Sequence, residues 1–285
     1  MLCGRIISVL TFCLGLIAAP VLAQRSEEVS EVVPAEGATD LEVSIDFGAG
    51  DLEIRGDDIE DAARLDIYYS PRYVRYDVDY VKRGSTGRLL LESKYRDRGH
   101  DVDDVDNEWR LVLSEKYPLV LDIDLGASES TLDLGGLRIT DLDIDIGASS
   151  GVVEFSRPNP ERLRDLTIDC GASSLKVRNL GNANADRIRC DVGASSCDFD
   201  FGDLTADCEL NIDVGVGSAE IVVPRGLAVS LEGDDGWFSE FDFHGLDLEE
   251  VRDGLWETPD FDKASIHLSI RASVAMGSIE LRAAR

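Results

Sequence analysis

The nine residues "DIDIGASSG", Asp143 to Gly151, have near-copies on both sides: "DIDLGASES" from Asp122, "TIDCGASSL" from Thr167, "RCDVGASSC" from Arg189 and "NIDVGVGSA" from Asn211. The stretch also satisfies G-x-S-x-G, the pattern of a hydrolase nucleophile, so it is either a catalytic signature or a building unit. Its spacing decides for the unit. The glycines Gly126, Gly147, Gly171, Gly193 and Gly215 are separated by 21, 24, 22 and 22 residues, a period that belongs to stacked repeat architectures. One, three and five positions before each glycine the residues are apolar: Leu125, Ile123 and Leu121 in the first unit, Val214, Ile212 and Leu210 in the last. This is strand alternation with one buried face. Alternation resumes after the glycine, at Leu132 and Leu134, Val153 and Phe155, Leu175 and Val177, Phe199 and Phe201, Ile221 and Val223. Each unit therefore reads strand, tight corner, strand.

The corner residues have physical reasons. Gly supplies a backbone conformation or a close approach that a Cβ would obstruct, Ala is small enough for a crowded bend, and Ser can hydrogen-bond the local backbone. Such units predict an all-β, solenoid-like stack over residues 119–285. The leucine-rich repeat is the rival at this period, but "SSLKVRNL" and "SSCDFDFG" continue as strands where that repeat turns into a helix or irregular arc. The same phase recurs in "LEVSIDFGAGDLEIRG" around Gly48 and in "SIHLSIRASVAMGSIELR", where Gly277 stands as Gly217 does in "GVGSAEI". Alternating runs between Gly48 and Gly126 predict an N-terminal β module over 38–118 that begins the stack, preceded by a linker at 24–37. At most a short helix is expected, around Leu248 to Leu255.

The address is written at the start. "MLCGRIISVLTFCLGLIAAPVLAQ" has Arg5, an apolar run and the ending Val21-Leu22-Ala23, the form of a secretory signal over 1–23. No later segment is apolar enough to span a membrane as a helix. Among the 285 residues, 44% are hydrophobic, enough for a large core. Removing the signal leaves 27 basic and 57 acidic residues, 27 − 57 = −30. That charge opposes nucleic acid and anionic lipid surfaces; it suits metal cations, basic proteins or neutral polymers, and keeps a β protein apart from its own copies.

The phrases "FGAGDLEIRG", "NEWRLVL" from Asn107, "LVLDIDLGASESTLDLGGL", "NLGNANADRIRCDVGAS" and "VGVGSAEIVVPRGLAV" resemble the toast-rack, or LiaF-like, extracytoplasmic β domains of bacteria, named for the response to cell-wall-active antibiotics. The resemblance covers nearly all of the chain after residue 23. It implies an all-β periplasmic or secreted protein of the cell envelope, acting as a binding or adhesion-type module for a protein or polymer. The alternative it implies is a regulator of an envelope-stress signalling system, although this chain lacks the bundle of transmembrane helices of the membrane-bound repressors.

Chemistry is sparse. Ser149 lies on a strand-to-strand corner, whereas a nucleophile elbow joins strand to helix and needs a His and an acid beside the Ser. His100, His244 and His267 have no ligand spacing, there is no Cys-x-x-Cys, and no phosphate-cradling loop is present. No enzyme activity and no cofactor are expected. Two features stand out. "DRGHDVDDVDNE", Asp97 to Glu108, offers Asp101, Asp103, Asp104 and Asp106 as weak cation ligands, though without the order of a calcium hand; a solvated acidic loop is the simpler account. The excursion 233–264 carries Trp237, Phe238, Phe241, Phe243 and Trp256, either a cap over the end of the core or a binding patch.

Two columns complete the reading. Cys170, Cys190, Cys197 and Cys208 fall on buried phases. Cys170 and Cys190 are diagonal neighbours, about 7–8 Å apart and beyond easy bridging, while Cys197 lies where it can reach either across the core, so at most one disulfide is expected. Asp124, Asp145, Asp169, Asp191 and Asp213 point outward in a ladder. Either each accepts hydrogen bonds at its own corner, in which case replacing Asp169 and Asp191 by Asn lowers the melting temperature, or the ladder recruits cations.

Overall fold

The computed structural model describes residues 26–96, 105–234, 239–259 and 261–284. Residues 1–23, read as a secretory signal, and the candidates Asp101, Asp103, Asp104, Trp237 and Phe238 lie outside the described residues. Of the described residues 68% are in strands and 3% in helix, all of it 3-10; the fold is all-β. The N-terminal part forms β1 (Glu27–Val33), β2 (Asp40–Asp57), β3 (Ala63–Tyr69), β4 (Val74–Arg83), β5 (Thr86–Tyr95) and β6 (Asn107–Ser114). The repeats form β7 (Pro118–Asp133), β8 (Arg138–Ile146), β9 (Ser150–Glu154), β10 (Leu163–Cys170), β11 (Ser174–Arg178), β12 (Ala185–Val192), β13 (Ser196–Asp200) and β14 (Cys208–Val223). The remainder is β15 (Ala228–Asp234), β16 (Ser239–His244), β17 (Glu249–Arg252), β18 (Leu255–Glu257) and β19 (His267–Ala283).

The alternation fixes the register. On the first leg Leu121 pairs with Leu142, Leu142 with Leu166, Leu166 with Ile188 and Ile188 with Leu210, all parallel. On the second leg Leu132 pairs with Val153, Val153 with Val177, Val177 with Phe199 and Phe199 with Ile221. Both legs advance by the same 21, 24, 22 and 22 residues, because any other offset would turn an apolar face to water. The two parallel layers enclose one core that runs from Val33 to Leu281, with Phe47, Trp109, Phe155, Phe199 and Phe201 fully buried.

At the ends the order departs from the sequence. β2 lies between β7 and the pair β5 and β6: Ile45 faces Leu91 and Ile123, and Leu52 faces Trp109 and Ser130. β19 likewise lies between β14 and the pair β15 and β16. So the first part of the excursion from Gly233, as far as His244, stays in the repeat phase: β15 and β16 are two further legs, and β19, later in the chain, enters the gap. Antiparallel strands finish the layers, β4 on β5, β3 on β6, β1 on β3, and the β17–β18 pair on β15. The result is a closed, barrel-like parallel body with extra strands rather than a clear solenoid of equal, sequential units. Two further expectations change. Residues 24–37, read as a linker, contain β1, held along its length by β3. Residues 248–255, read as a helix at most, form a small antiparallel strand pair turning at Gly254, whose φ of +71° suits only glycine well.

The repeat glycines serve close approach. A Cβ on Gly147, Gly171 or Gly193 would lie 2.8–2.9 Å from the carbonyl oxygen of the preceding repeat glycine, and one on Gly126, Gly217 or Gly277 would fall well inside contact with backbone. At Gly215 the gap relaxes to 3.2 Å. Gly217→Ala is therefore expected to cost about 3 kcal/mol, at the upper end of overpacking penalties, and Gly215→Ala distinctly less. Urea unfolding of both variants checks this; equal losses would refute close approach as the reason for these glycines.

Candidate functional site

Stacking the corners brings their chemistry to one edge of the body. The backbone ladder continues round the bend: Ala148 donates to Gly126 O (2.8 Å), Ala172 to Gly147 O (2.9 Å) and Ala194 to Gly171 O (2.8 Å). Alternate serines bind these bends together. Ser149 Oγ donates to Gly126 O (2.9 Å) and accepts the Ser128 amide (3.1 Å); Ser195 Oγ donates to Gly171 O (2.8 Å) and accepts the Ser173 amide (3.1 Å). Ser149 is 7% exposed, and neither described histidine, His244 or His267, is among its hydrogen-bond partners. The hydroxyl that completes G-x-S-x-G is thus engaged with backbone.

At the N-terminal end of this edge lies an open groove of about 900 Å³, lined by Asp51, Asp106, Glu108 and Glu129 together with Ser128, Ser149 and Ser150. β6 carries Asn107 and Glu108 into it because Asn107 is anchored from three sides. Its Nδ2 donates to Ala49 O (2.5 Å) and Ser93 Oγ (2.8 Å), and its Oδ1 accepts Trp109 Nε1 (3.0 Å). Asn107 does for the β5, β2 and β6 corner what Ser149 does for its own. Its role was legible only as a polar residue directly before an alternating strand. Asp106, the one acidic-loop candidate among the described residues, accepts a hydrogen bond from Ser26.

Asp169 and Asp191 lie elsewhere, on the outer face of the first leg. The ladder there runs Asp46, Asp124, Asp145, Asp169, Asp191, Asp213 in direct register, ending opposite Ser273. Lys94 neutralises its Asp46 end (3.1 Å), and the outward rows beyond it are paired, Arg164 with Asp141 and Arg187 with Asp165, both at 2.9 Å. The expected corner hydrogen bonds are not formed: the serines bond backbone, and the buried Asp169 Oδ1 has no partner. Burial first, and the neighbouring carboxylates after it, raise the carboxyls of Asp124, Asp143 and Asp169 above the ordinary aspartate value. Among the described residues no group of three or more His, Cys, Asp or Glu is arranged to hold a metal ion.

The aromatic candidates come together at the far end. Phe241 and Phe243 on β16 face inward, half-buried, and each ring packs on Trp256 of β18, with centroids 6.1 and 5.6 Å apart. They cover the end of the core as a cap does.

Residues 22–177 match the family model described as the N-terminal domain of toast_rack, DUF2154. The chain belongs to the toast-rack family. Among solved structures, this toast-rack chain is similar to a "putative cell adhesion protein" from Clostridium sporogenes, 17% identical with a TM-score of 0.47, covering 91% of this chain and 100% of that one. It is also similar to a "putative adhesin" from Bacteroides fragilis, at 12% identity and a TM-score of 0.38 over 91% of this chain and 98% of that one. A "putative lipid binding protein" from Parabacteroides distasonis matches at 12% identity and a TM-score of 0.34, over 92% and 98%. No curated protein matches. No helix among the described residues is long and apolar enough to cross a membrane.

Two predictions follow from this edge of the toast-rack body. Ser149→Ala strands the Ser128 amide and should cost about 1–2 kcal/mol in urea unfolding, while hydrolysis of a model ester stays at the level of the parent protein; loss of a measurable esterase activity would make Ser149 catalytic. For the ladder, a carboxyl whose folded pKa lies above its unfolded value of 3.8 binds its proton in the folded state first. Acidification from neutral toward that value therefore adds stability through Asp124, Asp143 and Asp169, and neutral pH withdraws it. Relieving about 1 kcal/mol of repulsion, Asp169→Asn should raise the melting temperature at pH 7 by roughly 2–4 °C, with the gain shrinking toward pH 4. A fall instead would show that Asp169 accepts a bond the parent depends on.

Proposed function

We propose that this protein is a non-catalytic binding module of the bacterial cell envelope, exported by its first 23 residues, which holds a protein or polymer partner on its acidic face. The observation that carries this reading is the combination of the open acidic groove at Asp51, Asp106, Glu108 and Glu129 with an aspartate ladder in which, among the described residues, only the Asp46 end is ion-paired, to Lys94. Exposed carboxylates that destabilise their own fold are retained most simply because something outside uses them, and a basic protein or a cationic polymer is the complementary chemistry. The engaged Ser149 hydroxyl and the open groove favour binding over turnover.

We also read the architecture as a solenoid-type stack in origin. Residues 38–118 act as the module that begins it and residues 119–285 as the repeated body, a division supported by the equal advance of both legs from β7 to β14.

The experiment is affinity capture from envelope fractions with the parent protein and a Glu108→Lys, Glu129→Lys variant. Recovery of a defined surface protein or polymer by the parent, weakened by the variant and by added salt, is the expected result. Capture of a sensor kinase would favour the regulatory alternative, and capture indifferent to the variant would remove the groove from the binding surface.

A further inference from the structure

The central repeats bring two buried thiols together at one corner. Cys170 ends β10 and Cys197 is the second residue of β13, on the opposite leg of the next unit. The two thiols are near enough for each to shift the other's acidity, and both are free. Ser195 fixes the approach, because its Oγ lies 3.2 Å from Cys170 O as well as 2.8 Å from Gly171 O, two residues before Cys197 in the chain. Both side chains are interior, 3% and 0% exposed, yet Gly171 and Ala172 beside them are exposed at the bend.

We propose that Cys170 and Cys197 form a disulfide when the protein folds under oxidising conditions, clamping the first leg of one repeat to the second leg of the next. The other described cysteines are placed differently. Cys190 is paired in register with Ile168 and Ile212, diagonal to Cys170, and Cys208 opens β14 opposite Leu268. The Cys197 thiol beside it lowers the Cys170 pKa, the same pairing raises that of Cys197, and burial pushes Cys190 well up and Cys208 up to about 12. Cys170 is thus the natural first nucleophile. Its thiolate attacks a disulfide oxidant, a small-molecule disulfide or an oxidised dithiol protein, forming a mixed disulfide and expelling one thiol. The Cys197 thiolate then displaces the second. Two S–H bonds give one S–S bond, and two electrons and two protons pass to the oxidant. The bridge closes a loop from 170 to 197, long enough for the unfolded chain to be substantially constrained.

For its occurrence in the cell this inference rests on the proposed envelope location, but its chemistry does not. The test refolds the full chain from urea with glutathione disulfide, alkylates remaining thiols in denaturant, and maps unreduced peptides by mass spectrometry. The expected product joins the Cys170 and Cys197 peptides and leaves Cys190 and Cys208 alkylated, and reduction lowers the melting temperature by several degrees. The same linkage should persist in Cys190→Ala. Alkylation of both Cys170 and Cys197 after oxidation, or a bridge through Cys190 or Cys208, overturns the assignment. A bridge formed in vitro but absent from protein isolated from cells leaves the geometry intact and counts against the envelope location.

Discussion

The approach of one glycine corner to the next is the constraint on which the rest of the molecule depends. Neighbouring strands in any sheet stand about 4.8 Å apart, but a bend crowds its backbone, and here that spacing is held through the bend itself. Gly171 donates to Ile146 O and Gly193 to Cys170 O at 2.8 and 2.7 Å. Only a residue without a Cβ leaves room for it. Once the corners are in contact, both legs share one offset, Ala faces water, Ser149 and Ser195 turn toward the carbonyls of the bend before them, and the outward aspartates fall into a single file. The register that packs the corners thus also sets the carboxylates of the outer face side by side.

Much of this was legible because alternation has a period of two and the glycines mark its phase. Phe47, Ile45 and Val43 were assigned inward from pattern alone and are buried opposite Leu125, Ile123 and Leu121; Gly277 was matched to Gly217 and lies against it. All four described cysteines were placed in the core and are there. What the pattern could not carry is order. Nothing in the local sequence says that β2 and β19 enter between units distant in the chain, since an inward face fits either neighbour, and so the segment after Gly233 read as an interruption.

The site was less legible than the fold for a related reason. Asp124 to Asp213 were seen as a ladder, but their hydrogen bonding depends on where the serine hydroxyls point, and a corner serine has backbone carbonyls nearer than the aspartates of its own strand. Asn107 was missed as an anchor because its partners Ala49 and Ser93 lie 58 and 14 residues away. The groove at Asp51 and Glu129 likewise joins residues from separate strands, which one-dimensional motifs do not reach. Composition anticipated the sign of the surface, and only the stacking determined where that sign is concentrated.

The interleaving at the C-terminal end has a consequence in time. β15 and β16 have no parallel neighbour until β19 fills the place between them and β14. A chain emerging from its N-terminus can assemble units through β14 in order of synthesis, yet residues 228–244 must wait for residues 267–283. β15 and β16 therefore dock only once β19 has been made, and a product shortened by that one strand would leave the open edge of β14 and half-buried aromatic rings without their covering strand.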